Sequence, residues 1–175
     1  LLVIMGFLTA VFFTGEDQLR FIEHTDWIPN LGASYFVGID SIAALMMLLA
    51  SFLGLVALLI SKPTQNSNRF FGLLLCLEGT LFGVFSSLDL ILFYVFFELS
   101  LVPVALMILG WGSGDKGKTA IRYLGVLFAG SLLMLVGIGI LGIQAENILH
   151  HPTFNSQELQ RLVAKGLWAN SWPMQ

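Results

Sequence analysis

The chain has 175 residues, of which 57% are hydrophobic and 11% charged, and its mean hydropathy is +0.86. A soluble domain carries roughly 25% charged residues, so this composition excludes an ordinary water-soluble fold and suits a lipid bilayer. Eleven acidic and eight basic residues leave a net charge of −3, and no Lys or Arg cluster is large enough for nucleic-acid binding.

Apolar residues begin at once, over 1–13, with no basic segment ahead of them. That argues against a signal peptide and for a partial span, and the equally abrupt close at Gln175 suggests a piece of a longer chain. Residues 14–36 are polar, with Glu16, Asp17, Glu23 and Asp26 set against Arg20, and end in Trp27-Ile28-Pro29-Asn30, where Trp27 suits a membrane interface. Four apolar segments follow at 37–61, 70–87, 90–109 and 119–143, each near the ~20 residues that cross a bilayer core. The apolar run over 70–111 is too long for one span at ~1.5 Å per residue, and Ser86-Ser87-Leu88-Asp89 offers caps for a reversal, so it divides into two antiparallel helices. The expected fold class is therefore an all-α integral membrane protein, a multi-pass helix bundle. The connections 62–69 and 110–118 fall on one side of it and carry Lys62, Arg69, Lys116 and Lys118, with Arg122 just beyond. The positive-inside rule places that side in the cytoplasm or its equivalent. Residues 144–175 form a polar loop leading to a further helix, with a weakly periodic stretch over 157–168 that suits a surface helix.

Glu98 lies eight residues into the 90–109 span, about 12 Å from its start and so near the bilayer midplane. Insertion scales assign ~2.5–3.5 kcal/mol to an ionised group at that depth, so the carboxylate either faces a hydrated or paired interior or binds a proton. Five residues on, Pro103 cannot donate to the Leu99 carbonyl, which leaves an acceptor beside Glu98 and favours a kink. Tyr94, four residues before Glu98, shares its helix face and can donate its hydroxyl to the carboxylate. Two readings stand: a proton carrier, or a protonated carboxyl that tethers a neighbouring helix.

Glu78 is a second acid within an apolar span, followed by Gly79-Thr80-Leu81-Phe82-Gly83, a pattern that admits a close neighbour helix. It can be a tether at that contact or a proton relay. Asp40 and Asp89 open spans and read as N-caps. Arg122 can snorkel to the interface or turn inward and pair with a carboxylate. Cys76, the one cysteine, excludes a disulfide framework and reads as a small packing residue. His150 and His151, before Pro152, read as exposed loop histidines, since a metal site needs a further ligand. Gly125, Gly130, Gly137, Gly139 and Gly142 suit close helix packing in lipid. Phosphate loops, dinucleotide fingerprints, nucleophile elbows and haem or iron–sulfur ligand sets are missing, which leaves no metal or cofactor site and no redox chemistry to assign to this chain.

Trp27-Ile28-Pro29, Val37-Gly38-Ile39-Asp40-Ser41, Gly83-Val84-Phe85 with Asp89, and Leu92-Phe93-Tyr94 through Phe97-Glu98-Leu99-Ser100-Leu101-Val102-Pro103 match a known order and spacing. With Gly110-Trp111-Gly112 and Ala129-Gly130-Ser131, the likeness covers roughly 27–141. The sequence resembles the antiporter-like, proton-translocating subunits of respiratory complex I, nearest the NuoM/NdhD branch of cyanobacteria and chloroplasts, and is also similar to subunits of Mrp-type cation/proton antiporters. The resemblance implies a fragment of a fold of about fourteen helices that moves protons, coupled at a distance to quinone reduction. Quinone and iron–sulfur clusters then belong to partner subunits, and the setting is an energy-transducing membrane such as a thylakoid or a bacterial inner membrane. It implies that Glu98 is the key carboxylate and that its lysine partner sits on a later, interrupted helix. Arg122 stands where the related pattern usually has Lys, which gives it a permanent charge and a structural or gating role. The carry-over to Glu78 is weaker, because an acid at that position is not universal. The alternative reading is a subunit of a Mrp-type antiporter that works without a redox partner.

Overall fold

The computed structural model describes Gly6, residues 19–63 and residues 66–166. The expected partial span at 1–13 lies outside the described residues except for Gly6, as does the end of the 157–168 stretch.

The first departure from an all-α fold precedes the first complete span. Part of the polar stretch 14–36, together with the first three residues expected in the 37–61 span, makes an antiparallel hairpin of β1 (Arg20–Ile28) and β2 (Ala33–Ile39), with His24 opposite Phe36 and Asp26 opposite Ser34. A 3-10 turn over Pro29–Leu31 joins them. Pro29 presets the backbone angle at the start of that turn, and Gly32 closes it in the left-handed region at φ 73°, donating its N–H to the Pro29 carbonyl at 3.1 Å. Ser34, Phe36 and Gly38 are buried in alternation along β2, the period of a strand with one covered face. The strand takes up Val37, Gly38 and Ile39, so the first span starts at Ser41 rather than at 37. Asp40 caps it by accepting from the Ala43 amide at 2.6 Å.

The helices are α1 (Ser41–Ile60), α2 (Ser67–Ser86), α3 (Leu90–Trp111), α4 (Lys116–Leu149) and α5 (Ser156–Ala164). The first four are long and apolar enough to cross a membrane. They pack in chain order, α1 on α2, α2 on α3 and α3 on α4. Large apolar side chains such as Leu59, Ile60, Ile121, Val126 and Leu133 remain on the outside, as suits contact with lipid. At ~1.5 Å per residue the 34 residues of α4 reach about 51 Å, well past a ~30 Å bilayer core. Its last turns, assigned to a loop by the sequence reading, instead support a small cap where Ala145 packs with Leu159 and Leu162 of α5 and with Leu90 of α3.

α2 and α3 approach closely at one glycine. A Cβ on Gly83 would overlap the Phe96 ring, whereas a Cβ on Gly79 would meet nothing within 4 Å among the described residues. The expected close contact is thus carried by Gly83 alone. Gly83→Val is expected to cost ~1–3 kcal/mol through overpacking, read as earlier thermal unfolding of the assembly that contains the chain. Combining Gly83→Val with Phe96→Leu should recover part of the loss in a double-mutant cycle; additive effects would count against the contact. The α4 glycines differ from expectation. Gly125, Gly130, Gly137 and Gly139 face open space among the described residues, and only Gly142 closes on a neighbour, the Phe154 ring. Cys76 is likewise exposed on α2 rather than packed.

Candidate functional site: a buried carboxylate between α3 and α4

The helix that carries Glu98 is anchored at its N-terminus by Asp89, whose residue exposure is 1%. Oδ1 accepts the amides of Ile91 at 2.9 Å and Leu92 at 3.2 Å, the capping role read from the sequence. Oδ2 accepts the Ser34 amide at 2.9 Å and the Ser34 hydroxyl at 3.1 Å. Neighbouring backbone bonds reinforce the junction: Leu88 donates to Phe36, Leu90 to Phe154, and Ser156 to Leu88. The hairpin, the start of α3 and the segment before α5 therefore meet at one buried carboxylate. Gly32 belongs to the same junction, because a Cβ there would overlap the Pro152 backbone.

From that anchor α3 runs unbroken through Pro103. The ring leaves the Leu99 carbonyl without its usual amide donor one residue after Glu98. Glu98 opens onto a cleft of about 490 Å³ between α3 and α4, lined with Tyr94, Leu101, Val102, Leu124 and Phe128 among others. Its Oε1 is buried and has no hydrogen-bond partner among the described residues. The Tyr94 hydroxyl lies close enough to interact with the Glu98 carboxylate and with Ser131 of α4. Ser131 is 3% exposed and its own hydroxyl donates to the Phe128 carbonyl at 2.9 Å. The site is a carboxyl with one unpaired buried oxygen, a phenol beside it and a buried serine of α4 within reach of that phenol, in otherwise apolar surroundings. An unpaired buried polar atom carries a desolvation penalty of ~1–3 kcal/mol. A proton, a water or a donor from another helix removes it.

The other candidate residues are not gathered at this site. Glu78 lines a separate cavity of about 200 Å³ between α1 and α2, with Ala50, Gly54, Ala57 and Leu74. Its carboxyl fits where Gly54 has no side chain, since a Cβ on Gly54 would sit 3.1 Å from both Cδ and Oε2. Arg122 is exposed, and at ~100° per residue it lies about 200° around α4 from Leu124, on the side away from the cleft. The ion pair formed in the same segment is Lys118 with Asp115 at 3.0 Å. The Lys118 amide and ammonium hold the exposed Asp115 carboxyl below the usual carboxylate range. His150 takes the left-handed position that ends α4, and His151 is exposed beside it. No group of three or more His, Cys, Asp or Glu is placed to hold a metal ion among the described residues.

Ser131 enters the sequence reading only as part of the Ala129-Gly130-Ser131 stretch, with no role at the Glu98 site. The available signal is its spacing: it follows Leu124 by seven residues and so lies on the same face of α4.

Residues 87–172 match the transmembrane family described as NADH:quinone oxidoreductase/Mrp antiporter. The chain is 35% identical over 150 residues to the F(420)H(2) dehydrogenase subunit M of Methanosarcina mazei, covering 85% of this chain and 30% of that protein. It is 35% identical over 136 residues to the NAD(P)H-quinone oxidoreductase chain 4 of Acaryochloris marina, covering 77% of this chain and 25% of that one. Its fold is similar to that of a chain in the respiratory complex I of Thermus thermophilus with bound NADH, with a TM-score of 0.71 and 27% identity over 90% of this chain and 33% of the other. The chain thus spans about a quarter to a third of the length of the relatives it matches.

Proposed function

This chain belongs to the NADH:quinone oxidoreductase/Mrp antiporter family as a multi-pass membrane protein, and from that premise we propose that it conducts protons as part of a complex I-like quinone oxidoreductase. The observation that carries the reading is the buried, unpaired Oε1 of Glu98, a residue that lines an apolar cleft at mid-helix. Glu98 takes up and releases the proton. Tyr94 orients the carboxyl and offers a hydroxyl through which the proton can pass to Ser131 or to water in the cleft. Electron transfer, quinone and iron–sulfur clusters belong to partner subunits, and the assembly sits in an energy-transducing membrane, a thylakoid or a bacterial inner membrane. The lysine that the family pairs with this carboxylate is supplied from outside the present residues.

Glu78 is a tether at the α1–α2 contact in this reading, supported by its fit against Gly54 and by its separation from the Glu98 cleft. Arg122 serves as a fixed charge on the far face of α4 rather than as the partner of Glu98. The relatives named above are subunits of dehydrogenase and quinone oxidoreductase systems, which favours the redox-driven reading over a stand-alone cation/proton antiporter.

The experiment is to extract the native assembly in mild detergent, identify the proteins that travel with this chain, and reconstitute it in sealed vesicles. Quinone-reducing subunits should co-purify, and proton uptake should depend on electron transfer. Proton movement driven by a Na⁺ gradient, with no redox subunit attached, would instead select the antiporter. Within that system Glu78→Gln should leave coupled proton movement within about threefold of the original, because the amide keeps the contact with Gly54. A loss as large as that of Glu98→Gln would return Glu78 to the proton path.

A further inference from the structure

At the end of the bundle opposite the hairpin, the start of α2 and the end of α3 flank a second cleft of about 490 Å³, lined by Asn66, Arg69, Gly72, Leu73, Leu106, Gly110 and Trp111. Three independent features give it a chemistry. The first is charge. Arg69 lines the cleft, and the Lys116 ammonium reaches its rim by donating to the Gly110 carbonyl at 2.9 Å. The segments 61–69 and 110–122 contain Lys62, Arg69, Lys116, Lys118 and Arg122 against one acid, Asp115, which is bound to Lys118. Asn66, the residue that precedes α2, makes no side-chain cap, which leaves the positive end of the helix dipole beside the cleft.

The second feature is shape. Below the charged rim the floor is apolar, and a Cβ on Gly72 or Gly110 would meet nothing within 4 Å among the described residues, so the groove stays open along the helix faces. The third is depth. Trp111 packs edge-on against Phe70 with centroids 5.2 Å apart at the ends of two membrane-crossing helices, where an indole sits at headgroup level.

We propose that this cleft binds an anionic phospholipid, with its phosphate between Arg69 and Lys116 and one acyl chain over Gly72, Leu73 and Leu106. A free phosphate or nucleotide would use the cations but not the apolar floor, and a neutral lipid would use the floor but leave the cations unmatched. Basic pockets between membrane helices on the positive side of a bilayer take acidic headgroups for this reason. The site lies at the other end of the bundle from the Asp89 junction, and it does not depend on how Glu98 acts.

The test uses the whole assembly in phosphatidylcholine nanodiscs, exposed to phosphatidylglycerol or phosphatidylcholine carrying a photoactivatable group on the acyl chain, with labelled residues mapped by mass spectrometry. Phosphatidylglycerol should label residues 72–73 or Leu106 at least about tenfold more than phosphatidylcholine. Each basic residue near a membrane surface contributes about fivefold to binding of acidic lipid, so Arg69→Gln with Lys116→Gln should lower the labelling by about thirtyfold. Arg69→Lys should retain most of it. Equal labelling by the two lipids in the unaltered assembly would overturn the proposal without recourse to any variant. So would labelling that survives loss of both cations, or a cleft found cross-linked to a protein subunit instead of lipid.

Discussion

Glu98→Gln is expected to abolish proton translocation by the assembly that contains this chain, lowering the pH gradient formed during substrate oxidation in sealed vesicles by on the order of a hundredfold. The amide has the shape of the protonated carboxyl and can still meet Tyr94, so packing between α3 and α4 should be kept. It cannot take up and release a proton. The loss should therefore appear with unchanged assembly and unchanged α-helical content, which separates it from a folding defect. Glu98→Asp moves the carboxyl back by about one methylene, away from Tyr94 and the cleft, and should retain an intermediate rate. If the amide variant pumps at the original rate while its electron transfer proceeds, Glu98 is a helix tether.

Asp89→Ala should produce the largest loss of stability, roughly 3–5 kcal/mol. Four hydrogen bonds end on this carboxylate, from Ile91, Leu92 and twice from Ser34, at a position with 1% exposure. Alanine leaves those donors unpaired and removes the α3 cap at the same time. Asp89→Asn keeps an acceptor toward the α3 amides but turns an NH₂ toward the Ser34 amide, so it should fall between the two. Hydrogen exchange at the Ser34 and Ile91 amides provides the measurement. Protection should drop steeply in the alanine variant, and protection equal to that of the unaltered protein would show that the junction is not held by this side chain.

The four crossing helices were legible because length and apolarity decide them before packing does, and 90–109 fell within α3 for that reason. The hairpin was not, because every residue of β1 after Arg20 is exposed and no alternating pattern marks it as a strand. Pro29 and Gly32 suit the turn, but they suit a loop equally well. Asp89 was readable as a cap, a relation across two or three residues. Its bonds to Ser34, 55 residues away, are a product of tertiary structure. The Glu98 site shows the same division. Position along the helix identified Glu98, and the four-residue spacing identified Tyr94, but nothing local says that α4 supplies the opposite wall. Once Leu124 and Phe128 are known to face the cleft, helical periodicity alone turns Arg122 away from it. The α4 glycines misled for a related reason: a small residue permits a close neighbour without providing one.

A proton-conducting Glu98 carboxyl must change its proton occupancy as the assembly works. Difference infrared spectroscopy of the turning-over assembly in the carboxyl-stretch region, with Glu98→Gln as the reference, reads that change directly. A carboxyl band that appears or vanishes on turnover and is missing in the amide variant is the expected result. A Glu98 band that stays constant from rest to turnover, and across the working pH range, would contradict it.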